Sequence, residues 1–133
     1  MLLVILAACG SPSSSVDPTD LRQVAVESRF TLQTGDTVDV AGHRMLLTFD
    51  GVSADSRCPF DVTCVTAGTA DLLFSWQDGP APGSLTVSFD VRGEQADRVG
   101  PLVLRVLDLR PVPVSAVPIE PDEYRATVRL DLP

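Results

Sequence analysis

From Phe30 to the C-terminus, apolar and polar residues alternate with a period of two, the pattern of strands that bury one face and wet the other. "SLTVSFDV" (84–91) sets Leu85, Val87, Phe89 and Val91 on one side and Ser84, Thr86, Ser88 and Asp90 on the other. "ADLLFSW" (70–76) aligns Ala70, Leu72, Phe74 and Trp76, and "YRATVRLDL" (124–132) aligns Tyr124, Ala126, Val128, Leu130 and Leu132. Shorter stretches repeat the pattern: "RFTL" (29–32), "TVDVA" (37–41) and "RMLLTFD" (44–50). The intervening "TGD", "AGH", "DGPAPG" and "RGEQ" carry the Gly, Asp and Pro of tight turns, which predicts antiparallel hairpins. In "PLVLRVLDLRPVPV" (101–114) the rhythm breaks, since Leu102, Leu104 and Val106 favour one face while Leu107 and Leu109 favour the other. A bulge near Val106, or a strand passing between sheets, restores it.

One segment admits a helix. In "DLRQVAVES" (20–28), Asp20 and Gln23 have capping-box spacing, yet Val24 and Val26 continue the alternation into Phe30 and Leu32, which favours a strand or an irregular lead-in. Eleven prolines and nine glycines leave little room for longer helices. The pattern predicts an all-β fold: an antiparallel β-sandwich of about seven strands, immunoglobulin-like, with a small β-barrel as the alternative.

Composition limits the function classes. At 14.2 kDa, with 44% hydrophobic and 21% charged residues, the chain has the make-up of one folded domain. Eighteen acids against ten bases give a net charge of −8, and every base is arginine. Such a surface repels phosphate backbones, so no nucleic-acid partner is expected.

The first eight residues, "MLLVILAA", are apolar but too short to span a bilayer, which takes about 20 residues. They end in small residues before Cys9, as an export signal does. Leu6-Ala7-Ala8-Cys9 resembles the lipobox of bacterial lipoproteins, although no Lys or Arg precedes the apolar run. The resemblance implies that residues 1–8 are a signal peptide and that Cys9 carries lipid. Residues 9–22, which include "GSPSSS", then form a flexible tether, and 23–133 form the domain. The implied address is a bacterial cell envelope, with the lipid on Cys9 holding the chain to a membrane. Gly10, which is not the aspartate that retains lipoproteins at the inner membrane, leaves the outer membrane or cell surface open in a diderm.

With Cys9 assigned to lipid, Cys58 and Cys64 in "DSRCPFDVTC" (55–64) remain as a pair outside the cytoplasm, where disulfides persist. A tetrahedral zinc site needs about four ligands, and these two cysteines with His43, the one histidine, fall short. Five residues between the cysteines also exceed the spacing of a redox exchanger or a zinc knuckle. A disulfide is the simplest reading, and no metal or cofactor is expected. Asp55 and Arg57 flank the loop with the reach of a local ion pair.

"DSRCPFDVTCVTAGTADLLF" (55–74) resembles the central motif of small, mostly uncharacterised bacterial lipoproteins: Asp-Ser-Arg-Cys-Pro, four residues, Cys, then an aromatic-Ala-Gly stretch leading into a strand. Thr66 stands where that family usually has tryptophan, so no role of that aromatic carries over. The resemblance implies a shared fold and an envelope setting, with no established activity.

No catalytic residues emerge. His43 lies by a turn, no Gly-x-Ser-x-Gly elbow occurs, and nothing in the spacing of the acids singles out a catalytic pair. Met45 shares a face with His43 but belongs to the apolar set, and Glu120, Asp122 and Glu123 read as a solvated patch rather than a calcium loop. The expectation is a non-enzymatic binding or structural module with a protein or glycan ligand. Its candidate binding rim is Asp55, Arg57 and Asp61 around the Cys58–Cys64 loop. The alternative is a metal-handling or protease-inhibitor envelope protein, an inhibitor inserting either "WQDGPAPGS" (76–84) or the cystine loop.

Overall fold

A computed structural model describes residues 21–93 and 95–133; Cys9, the expected signal peptide and most of the expected tether lie outside them. Among the described residues are nine strands: β1 (Gln23–Val24), β2 (Arg29–Gln33), β3 (Thr37–Val40), β4 (Met45–Asp55), β5 (Ala70–Asp78), β6 (Ala81–Phe89), β7 (Gln95–Val99), β8 (Leu102–Arg110) and β9 (Arg125–Asp131). A 3-10 turn, Pro121–Glu123, precedes β9.

They form two sheets, ordered β1-β3-β4-β5-β6 and β2-β9-β8-β7. The architecture is an all-β sandwich, not a closed barrel. Every pairing is antiparallel except the short β1–β3 contact. Each sheet is mainly a meander of sequential neighbours, whereas an immunoglobulin sandwich interleaves strands distant in sequence. The expected seven strands become nine through β1, only two residues long, and β7. Segment "QADRV" shows no apolar alternation because only Val99 of it is buried, as an edge strand allows.

The alternating residues meet between the sheets. Val38, Val40, Met45, Leu47, Phe49, Leu72 and Phe74 line one inner face, and Leu32, Leu102, Leu104, Val106, Val128 and Leu130 the other. Phe49 and Phe74 pack in a tilted pair with ring centroids 5.2 Å apart. Burying each such side chain contributes about 1.5–3 kcal/mol. Two expected core positions lie outside: Val91 falls in the turn after β6 and Leu132 follows β9, and both are exposed.

Bulges set which residues point inward. The β8–β9 register shifts between Val106 and Asp108, so Leu107 is the extra residue and Leu109 joins Leu102, Leu104 and Val106 inside. Strand β4 carries two such shifts against β5, between Phe49 and Gly51 and between Val52 and Ala54. Each reverses the inward–outward parity of the residues beyond it. After both, Asp55 pairs with the buried Ala70 and lies on the inner face at the end of the sandwich.

Candidate binding site

Beyond β4 the chain keeps pairing with itself before the loop opens. Ser56 N–H donates to Thr69 O (2.7 Å) and Cys58 N–H to Ala67 O (2.8 Å), extending the β4–β5 ladder. Gly68 makes this closeness possible: its φ is +70°, and a Cβ there would lie 1.8 Å from the Ser56 carbonyl oxygen. The disulfide expected between Cys58 and Cys64 is present and closes the loop across a Cα–Cα distance of 5.9 Å.

Arg57 does not sit on a rim. Its side chain is 2% exposed and forms a fork-to-fork pair with Asp55, Nε to Oδ1 at 2.9 Å and Nη2 to Oδ2 at 2.8 Å. Nη1 donates to Leu109 O and Nη2 also to Pro111 O, both at 3.0 Å. One donor from Nε, one from Nη1 and two from Nη2 are thus engaged, four of the five an arginine carries. Tyr124 completes the cluster, its hydroxyl donating to Asp55 Oδ2 at 3.0 Å.

Burial works to raise the Asp55 carboxyl, but the hydrogen bonds and charge of Arg57 outweigh it and hold the group below its usual range. Burial, then the bond to Asp55, pushes the Tyr124 phenol up to about 12. A pocket of about 230 Å³ opens over the cluster, walled by Pro59, Pro113, Val117 and Ile119 as well as by Tyr124.

Asp61 makes a second tie. Its carboxylate accepts the Ser115 hydroxyl and, at 2.8 Å, Ser115 N–H, which hold it below the usual carboxylate value. Phe60 N–H donates to Pro113 O at 3.0 Å beside it. The cystine loop and the proline-rich segment 111–119 are thereby joined into one surface.

That surface is apolar. Phe60 is 71% exposed and Val65 fully so, with Val62, Val112, Val114 and Val117 also exposed. Residues 58–69 and 111–119 contain a single charged side chain, Asp61, in a chain of net charge −8. Phe60 and Val62 could be noticed in the sequence as large apolar residues in a loop. Their union with Val112, Val114 and Val117 depends on contacts across 54 positions, which no local pattern carries.

The other candidates lie apart. His43 occupies the turn between β3 and β4, and Met45 is buried in the core. Glu120 caps the 3-10 turn, its N–H meeting Glu123 Oε2 at 3.3 Å. Among the described residues, no three His, Cys, Asp or Glu side chains come together as a metal site. No helix there is long and apolar enough to cross a membrane.

Fold and site together define a two-sheet β-sandwich with a stapled, apolar loop end. No family model, curated protein or solved structure matches the chain.

Proposed function

We propose that this chain is an exported, lipid-anchored envelope protein that acts without catalysis, binding a protein partner through its cystine-loop end. The observation that carries the binding reading is the six exposed apolar side chains on two segments locked together by Asp61–Ser115 and by Arg57. Exposing them costs hydration free energy that a partner's apolar surface would recover, and rigid loops lose little entropy on docking. The anchor rests on the lipobox at Leu6-Ala7-Ala8-Cys9, and the cystine fits an oxidising compartment.

A photo-crosslinking residue at Phe60 or Val65 of the full chain, expressed in a bacterial host of its own kind, tests the surface. Discrete protein adducts are expected from both positions and none from Gln77 at the other end; equal labelling from all three would sink the reading, as would labelling of lipid alone. Labelled palmitate should enter the wild-type chain and not Cys9→Ala, which should leave the membrane fraction. The inhibitor version has one observation in its favour, the fully exposed Val65 beside Cys64. It predicts slow cleavage after a cystine-loop residue by at least one protease that the chain inhibits.

A further inference from the structure

The two sheets have four edges, and three are protected. β1 is only two residues long, β7 carries Asp97 and Arg98, and β2 is short, begins at Arg29 and has its Thr31 carbonyl occupied by Arg22 Nη2 at 2.7 Å. Shortness, charge and capping are the devices that keep free strand edges from pairing with other chains. β6 has none of them over 83–89: it runs nine residues with no charged side chain, and its one proline, Pro82, lies at the start. Among the described residues β6 pairs with β5 alone, and no other backbone hydrogen bond reaches 84–89.

Its sequence is also self-complementary. Two antiparallel copies related by a two-fold axis at Thr86 would set Thr86 against Thr86, Ser84 against Ser88 and Leu85 against Val87. Ser84, Thr86 and Ser88 lie on the outer face, while Val87 and Phe89 point into the core. Every outer pair is then Ser or Thr, a favourable cross-strand combination, and every inner pair is apolar. No charged residue opposes a like charge along this register, despite the net charge of −8.

We propose that β6 is a self-association edge, through which a second copy of this chain adds antiparallel about Thr86 and joins two five-stranded sheets into one of ten strands. The contact is isologous and therefore closes at two copies. It is distant from the cystine loop's exposed residues in sequence and independent of their role.

Engineered cysteines in the full chain, in detergent with added oxidant, test it. Thr86→Cys should give about tenfold more disulfide-linked dimer on a non-reducing gel than Gln77→Cys, because Cα atoms of directly opposed residues lie about 4.5–5.5 Å apart. Ser84→Cys alone should link poorly, and Ser84→Cys mixed with Ser88→Cys should link well. Phe60→Ser should leave the yield unchanged. Thr86→Lys and Thr86→Glu should each weaken self-association about tenfold, and their mixture should restore it. Thr86→Cys yielding no more dimer than Gln77→Cys overturns the proposal, and equal linking by Ser84→Cys alone overturns the register.

Discussion

At one end of the sandwich the chain reverses in tight turns, at 41–44, 79–80 and 100–101; at the other it runs through two long segments, 56–69 and 111–124, with only one 3-10 turn between them. The turn at 41–44 closes on itself with His43 N–H to Val40 O, and Gly79 N–H to Arg44 O ties it to the turn at 79–80. The long segments have backbone bonds of their own, such as Cys58 N–H to Ala67 O and Val117 N–H to Val114 O, but are held in place largely by side chains: Arg57 takes the carbonyls of Leu109 and Pro111, and Asp61 takes the amide of Ser115. A turn of a few residues satisfies itself, whereas a long loop without a ladder leaves polar groups that something must bond. The cystine end thus needs a folded interior of its own. Its outer surface is then free to be apolar, while the turns at the other end stay short.

The largest expected effect tests whether Arg57 is that interior. Arg57→Leu strands Asp55 in a partly covered site and frees two carbonyls, and removing one partner of a buried pair costs about 3–5 kcal/mol. Gly79→Ala perturbs the opposite end, where φ is +56°, and should cost about 1–2 kcal/mol. Urea unfolding of the two variants compares the ends directly. A cost for Arg57→Leu no greater than that for Gly79→Ala would show that the long loops hold without it.

Removing the staple should rank second. In the chain-entropy account, a closed loop of seven residues is worth about 2.4 kcal/mol. Cys58→Ser with Cys64→Ser should lower the urea midpoint accordingly. Amide exchange should rise between 56 and 69 and stay unchanged at 41–44 and 79–80. Faster exchange at both ends would mean that the two are one cooperative unit, and the contrast would fail.

This difference between the ends is also the difference between what the sequence reveals and what it hides. The sandwich strands are legible because burial on one face imposes period two, and even the bulge at Leu107 shows as a broken rhythm in "LVLRVLDL". β7 is silent because it buries one side chain of five. Arg57 reads as a surface residue, since a charged side chain in a loop usually is one. Its burial follows from Asp55 at the inner end of β4, and from carbonyls more than fifty positions away. The cystine is the legible part of the loop, read from the two cysteines left once Cys9 is assigned to lipid, whereas nothing near Gly68 in the chain shows that it meets the Ser56 carbonyl.

Tyr124→Phe probes the same cluster more gently. Losing a hydrogen bond to a charged group costs about 1.5 kcal/mol. Since Tyr124 is the only tyrosine, the absorbance titration of its phenol reads the cluster alone. Its folded value, about 12, lies above the ordinary 10.0 of an unfolded chain. The stabilisation is therefore full below pH 10.0 and lost as pH rises through about 12. Asp55 has the opposite sign: its folded value is depressed, so its contribution is present above the ordinary carboxylate range and lost as pH falls through the folded value. Wild type should lose stability at both extremes. Asp55→Asn should flatten the acid side and bring the phenol back toward its ordinary value; a phenol titrating normally in wild type would contradict the bond.

The smallest expected change in stability, from Asp61→Ala, separates the two ties at the cystine end. Asp61 lies on the surface and holds Ser115 from outside the covered cluster. Its removal should leave the urea midpoint close to wild type, because the Arg57 bonds to Leu109 and Pro111 still hold the proline-rich segment to the loop. Exchange of the Ser115 amide should nevertheless rise severalfold, since that N–H loses its acceptor. Among the described residues, Phe60 N–H to Pro113 O would then be the one bond left between the tips of the two segments. Phe60 and Val114 would be held less firmly in one surface, and photo-crosslinking from Phe60 should weaken without any loss of fold. Arg57→Leu should lose both stability and crosslinking. If Asp61→Ala instead lowers the midpoint as far as removing the cystine does, the apolar surface is part of the core's own support, and the division between a holding interior and a presenting exterior does not exist.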